Sequence, residues 1–219
     1  ARGFHQDAYS EFRNRIVEAI DPQDLTSLRT IYQREYQQLP FSKDKQQHIL
    51  NAILIKSYMK AIDETVTLTS EEERVLHDYL FSVEIWGLYE LSFFSSCTPL
   101  LSIQLLTKYT REMLRKSDFL QGVGKNRNMM HTLLLNGFMA CIEVDDFTNA
   151  LYFKKQIEKN FFEENETYFR IVYLWAEGLL DSKQGRAEEG QRKMEDAIRI
   201  FEMIGCNKSA DYYRSVIEC

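Results

Sequence analysis

Gly178 and Gly190 stand twelve residues apart (190 − 178), and Met194 and Ala197 follow the second glycine at +4 and +7. Small side chains at these intervals let paired helices approach closely, and the spacing is that of a tetratricopeptide-type helix hairpin. The preceding hairpin carries Ala150 and Ile157 forty residues before Gly190 and Ala197 (190 − 150 and 197 − 157). That offset exceeds the consensus period of ~34 residues, so the pattern predicts degenerate repeats with lengthened helices. Stacked hairpins of this kind bury a continuous core and leave a concave face. Amphipathic helix pairs in an ordinary bundle carry similar spacings, and the pattern alone leaves that alternative open.

The rest of the chain also reads as helix. Its 219 residues include 3 prolines and 9 glycines, too few for the many turns of an all-β domain. Helical spacing of apolar residues predicts helices over 4–20, from Asp21-Pro22 to about Gln38, and over about 43–63. Thr69-Ser70 opens the next, with Ser70 and Glu73 matching a capping box, and it runs to Cys97 with a break near Ser82. Further helices are expected over 100–116, 126–144, from Asp145 or Asp146 to about Phe161, and over 164–183, 188–204 and 208–217. Gly122 to Gly124 reads as a loop, Gly185 as a tight link and Gly205 as a helix terminator.

The formal net charge of −6 argues against a self-sufficient DNA-binding face. No apolar run approaches the ~18–20 residues of a membrane span, and no basic-then-apolar leader opens the chain. A cytoplasmic protein with no membrane association is expected, its Cys97, Cys141, Cys206 and Cys219 reduced. The chain starts at Ala1, which suggests a fragment of a longer protein. There is no P-loop, dinucleotide fingerprint, HExxH or GxSxG, and none of His5, His48, His77 and His131 has a second histidine at i+3 or i+4. No enzyme, metal site or cofactor is expected.

What remains is the set of side chains that would line a concave groove. Tyr89, Phe93 and Ser96 share one helix face, Met129, Leu133 and Asn136 another, and Tyr168, Val172, Trp175 and Leu179 a third. Core packing is the alternative for the apolar members, Leu133, Val172 and Leu179 above all. Asn136 differs, because an unpaired amide amid Leu133-Leu134-Leu135 and Phe138-Met139 costs about 1–3 kcal/mol if buried. Its carboxamide offers a donor and an acceptor together, which suits the backbone of an extended peptide; a bond to a neighbouring helix is the other reading. Arg170 could meet a ligand carboxylate or form a surface salt bridge.

Asp78 to Cys97 (DYLFSVEIWGLYELSFFSSC) resembles, nearly residue for residue, the hallmark segment of the Rgg/GadR/MutR family of Gram-positive transcriptional regulators. Ser182 to Gly205, and Asn136 with its apolar neighbours through Phe147, resemble that family as well. The resemblance implies an all-α, right-handed superhelix of degenerate tetratricopeptide-like helix hairpins, which forms a homodimer and binds a short secreted peptide pheromone on its concave face. The family's N-terminal helix-turn-helix pattern is absent, so residues 1–219 are expected to be the ligand-binding and dimerisation domain alone, with DNA contacted only through the missing domain.

By resemblance, Asn136 falls where the family has an asparagine that holds the peptide backbone, and Tyr168 and Arg170 fall in a pocket-lining stretch. Where some relatives have an asparagine and, three residues later, an arginine, this chain has Ser96 and Pro99. Its peptide is therefore expected to make different polar contacts. The implied switch is a short hydrophobic signalling peptide, packed against Phe93, Tyr89 and Trp175, that shifts the dimer between arrangements and so controls transcription. The rival readings are a helical-repeat scaffold for protein interactions and a regulator that senses a small molecule or pH.

Overall fold

A computed structural model describes residue 12 and residues 25–116, 124–160 and 162–217. Apart from Phe12, the helix expected over 4–20 falls outside these residues, as do the start at Asp21 and residues 122 and 123 of the expected loop; Gly124, the third residue of that loop, opens a helix instead. Among the described residues every regular element is helical, in two compact units, Ala1–Met129 and Met130–Cys219.

The first unit is built around α2 (Lys45–Ile62), on which α1 (Leu25–Gln38), α3 (Ser70–Ser82), α4 (Leu88–Cys97) and a 3-10 turn (Thr98–Leu100) all pack. Ala52, Ile53, Leu54 and Ile55 are all buried, so α2 is apolar on every side and serves as a core helix rather than an amphipathic surface one. Asp44 caps its start by accepting a hydrogen bond from the Gln47 amide at 3.0 Å. The break near Ser82 is present, between α3 and α4, and Pro99 lies in the 3-10 turn that leads to α5 (Ile103–Lys116).

The expected Ser70–Glu73 capping box is displaced by one residue. Thr69 is the cap; its amide donates to Glu72 Oε2 at 2.7 Å, and its hydroxyl accepts from the Glu72 amide at 3.3 Å. Both registers satisfy the local pattern. The tertiary environment chooses, because Glu72 is buried among partners from two other helices whereas Glu73 is exposed.

The helix α6 (Gly124–Glu143) spans the division between the units. In the second unit it is followed by α7 (Phe147–Lys159), α8 (Thr167–Lys183), α9 (Ala187–Met203) and α10 (Asn207–Ile217). Three of its helices end in the same way. Asp145, Gly185 and Gly205 have φ of 57°, 87° and 77°, and the following amides of Asp146, Arg186 and Cys206 donate back to Cys141 O, Asp181 O and Phe201 O at 2.9, 2.9 and 2.8 Å. This left-handed cap with its long-reach bond satisfies the last carbonyls and turns the chain sharply into the next helix. The caps at 145 and 185 are again forty residues apart (185 − 145), so the turns repeat in step with the seams.

Those seams are close. A Cβ built on Gly178 would lie 2.6 Å from Gly190 O, and one on Gly190 would lie 2.4 Å from Gly178 O and 2.5 Å from Ser182 N. In the preceding hairpin a Cβ on Gly137 would meet the Phe153 ring at 2.4 Å. Ala150, Ile157, Met194 and Ala197 are all buried, as the repeat spacing requires. The hairpins are therefore related but not identical: glycine faces glycine in one and an aromatic ring in the other.

Candidate ligand-binding surface

The aromatic segment turns its rings inward. Trp86 is buried with its ring 5.7 Å from Phe94, which meets Tyr109 edge-on at 6.2 Å. Phe93, also buried, takes the edge of Tyr79 at 5.4 Å and stacks on Tyr89 at 6.4 Å. Tyr89 is largely buried and lines an open cavity of about 510 Å³ with Tyr79, Gln47, Glu84 and Glu90. Burial pushes the phenols of Tyr79 and Tyr89 up, so both stay protonated donors. Ser96 and Met129 are half-buried.

In the second unit Leu133, Leu134, Leu135 and Phe138 are buried, while Asn136 between them is half-buried. Among the described residues none is hydrogen-bonded to its carboxamide, so no bond to a neighbouring helix consumes the amide. Tyr168 is 50% exposed, its ring edge-on to Phe169 at 5.7 Å and tilted against Phe201 at 5.6 Å. Trp175 is buried with its ring 5.0 Å from Tyr213.

Arg170 is half-buried. Its Nε donates to Glu163 O at 3.0 Å and its Nη2 to Phe162 O, which ties down the turn that precedes α8. His131 is a core histidine, its ring 4.6 Å from Phe162 and 5.5 Å from Phe169, with Nε2 3.3 Å from Glu166 Oε2.

Of the residues named from the sequence, Asn136, Tyr168, Ser96, Met129 and Arg170 thus retain access to solvent. Phe93, Leu133 and Trp175 are buried, and Tyr89 lines the cavity of the first unit.

Two charge networks were not legible beforehand. Glu72, fully buried, accepts from Tyr32 and Tyr36 hydroxyls at 2.9 and 3.1 Å and from Lys56 Nζ at 2.6 Å. Burial alone would raise its pKa; the Lys56 ammonium and the Thr69 amide outweigh that and hold it below the usual value. Lys56 also donates to Thr67 O at 2.8 Å, so α1, α2 and α3 meet at one ion pair. Asp181 on α8 likewise accepts from Arg186 at 2.5 Å and Lys193 at 2.6 Å, linking α8 to α9. The only sequence signals were a lysine inside Ile53 to Met59 and an aspartate after Leu179-Leu180. Both networks join helices.

Among the described residues no helix is long and apolar enough to cross a membrane. Residues 32–215 match the family model described as the C-terminal domain of the HTH-type transcriptional regulator Rgg. The SHP pheromone receptor Rgg2 of Streptococcus dysgalactiae has a similar crystal structure, with 25% identity and a TM-score of 0.76 over 94% of this chain and 72% of that one. A cysteine-to-serine variant of that receptor matches at 24% identity and a TM-score of 0.77, over 96% and 72% of the two chains. A protein of Listeria monocytogenes EGD-e shares the fold at 18% identity, with a TM-score of 0.74 over 94% of this chain and 71% of that one. The close-packed hairpins, the all-helical fold and the match over 32–215 agree: this chain belongs to the Rgg family of HTH-type transcriptional regulators and carries its C-terminal domain.

Proposed function

We propose that the chain is the ligand-binding and dimerisation domain of a cytoplasmic quorum-sensing regulator, which binds a short hydrophobic peptide and thereby controls DNA binding or transcription activation by a helix-turn-helix domain. The observation that carries the reading is the half-buried carboxamide of Asn136, unengaged by any described residue and set between buried leucines and Phe138. A donor and acceptor held in an apolar surround bind a peptide unit, because neither partner loses more than water contacts on pairing. The likeness to a receptor of the SHP pheromone supports a peptide rather than a small molecule as the ligand.

Asn136 and Tyr168 of the second unit make the direct contacts, on a surface that Leu133 and Trp175 hold in shape. Arg170 contributes by fixing the turn at Phe162 and Glu163. The peptide acts by preferring one arrangement of a homodimer, which shifts its population.

Calorimetric titration with short hydrophobic peptides encoded beside the gene tests the reading. Asn136→Ala is expected to weaken binding about tenfold, the worth of one hydrogen bond, with no change in thermal unfolding. Absence of binding by every such peptide refutes the ligand class; unchanged affinity in the variant refutes the backbone clamp.

A further inference from the structure

The cavity of about 510 Å³ in the first unit is walled from three helices: Asp44 and Leu50 belong to the cap and second turn of α2, Tyr79 to α3, and Leu88, Tyr89 and Glu90 to the first turn of α4. Its size falls within the range of about 300–1,000 Å³ typical of small-molecule sites. Its charge is one-sided. Every charged side chain of the lining is anionic, namely Asp44, Glu84 and Glu90, and among the described residues none of the three is in an ion pair. The overall acidity of the chain does not account for this. The neighbouring cavity, which also touches Gln46, sets Lys45 and Arg74 against Glu71 and Asp78, two cations against two anions.

Two of the carboxylates are fixed by the backbone. Asp44 Oδ1 accepts from the Gln47 amide at 3.0 Å, and Glu90 Oε2 accepts from the Gly87 amide at 2.9 Å. Each cap uses one oxygen and leaves the other to a ligand, so little side-chain entropy is lost on binding. Beside Glu90, the Tyr89 hydroxyl is hydrogen-bonded with Gln47 and Tyr79, which holds both phenol rings in the wall. Aromatic rings attract ammonium groups through their π-faces. These features also select among cations. A metal ion needs several ligands within one coordination sphere, and among the described residues no group of three or more acidic, cysteine or histidine side chains could hold one. A single alkylammonium would meet one carboxylate of the three. A linear polyamine spaces several ammonium groups along methylenes, which suits carboxylates carried on separate elements with Leu50 and Leu88 in the same wall.

We propose that this cavity binds a linear aliphatic polyamine, its ammonium groups paired with Asp44, Glu84 and Glu90 and its methylene chain laid against Tyr79, Tyr89 and the two leucines. The site lies within the first unit and stands independently of the peptide reading.

Calorimetric titration of the full chain with spermidine at low salt tests the site, and one saturable binding event is expected. The triple variant Asp44→Asn, Glu84→Gln, Glu90→Gln removes the charges but keeps both caps, since the amide side chains accept the same backbone hydrogen bonds. It is expected to weaken binding about tenfold, roughly a factor of two to three for each exposed ion pair, with thermal unfolding unchanged. A control triple variant, Glu164→Gln, Glu188→Gln, Glu195→Gln, neutralises exposed carboxylates of the second unit and is expected to bind as wild type does. Absence of saturable binding, or equal affinity of wild type and the first triple variant, overturns the proposal. Equal losses in the two triple variants show condensation on general acidity and also overturn it. Displacement of spermidine by an equal concentration of magnesium ion overturns the organic ligand. N-acetyl-lysinamide that binds as tightly as spermidine overturns the polyamine in favour of a lysine side chain.

Discussion

Gly190→Ala separates close helix packing from helix propensity, because the two predict opposite signs. Gly190 lies in the first turns of α9, and on propensity alone alanine stabilises a helix by about 1 kcal/mol relative to glycine. The structure says otherwise. The new Cβ would lie 2.4 Å from Gly178 O and 2.5 Å from Ser182 N, both backbone atoms of α8, whereas ordinary contact begins at 3.4 Å. No rotamer change relieves that overlap, so the helices must separate by about 1 Å (3.4 − 2.4). A gap of that size forfeits a quarter to a half of each dispersion contact, and for Met194 and Phe201, both buried at the seam, the loss comes to roughly 3 kcal/mol. Subtracting the propensity gain leaves a net destabilisation of about 2 kcal/mol, within the range for overpacked cores.

Urea denaturation followed by circular dichroism measures this directly, and a thermal melt should fall by roughly 4–8 °C for a chain of this size. Gly178→Ala meets the same seam, with Gly190 O at 2.6 Å and the Met194 side chain at 2.8 Å. Once one alanine has separated the helices, the second costs less, so the double variant should lose less than the sum. An unchanged or higher midpoint for Gly190→Ala would refute the close approach of α8 and α9.

Glu72→Ala leaves the Lys56 ammonium buried without its carboxylate and should cost about 3–5 kcal/mol, whereas Glu72→Ala with Lys56→Met should recover much of that loss in urea titrations. Glu72 has a depressed folded pKa, so its contribution is fully present above the unfolded value near 4.5 and is lost as pH falls through the folded value. Wild-type stability should therefore fall more steeply below about pH 4.5 than that of Glu72→Gln, and parallel acid limbs would show the ion pair to be inert. Asp181→Asn should weaken the α8–α9 link by roughly 1–2 kcal/mol, read from hydrogen exchange in α9. Burial pushes the Cys97 thiol up and buries Cys141 as well, so a thiol reagent followed by mass spectrometry should label half-buried Cys206 before either.

Local chemistry and period were legible in the sequence; the choice among locally equivalent partners was not. The forty-residue offset between Ala150 and Gly190 correctly marked two related hairpins, because close packing requires small residues whatever surrounds them. The capping box shows where such inference stops. Thr69 with Glu72 and Ser70 with Glu73 are equally good local pairs, and the selection of Glu72 depends on Tyr32, Tyr36 and Lys56, up to forty positions away.

The same limit governs the candidate surface. Tyr89 and Phe93 share a helix face, yet the hallmark segment folds so that Phe93 is sealed between Tyr79 and Tyr89 while Tyr89 reaches a cavity. Helical spacing assigns residues to a face but does not say how deep each one lies. Arg170 is a further case: its charge suggested an anionic partner, and the fold also gives it two backbone carbonyls, Phe162 O and Glu163 O, at the turn before α8. Asn136 escapes this competition: Leu133, Leu134, Leu135 and Phe138 around it are buried and apolar, and no described residue is hydrogen-bonded to its carboxamide. A polar group that the fold leaves unengaged in an apolar wall is therefore a stronger pointer to a ligand than an aromatic or a charge that the fold has already used.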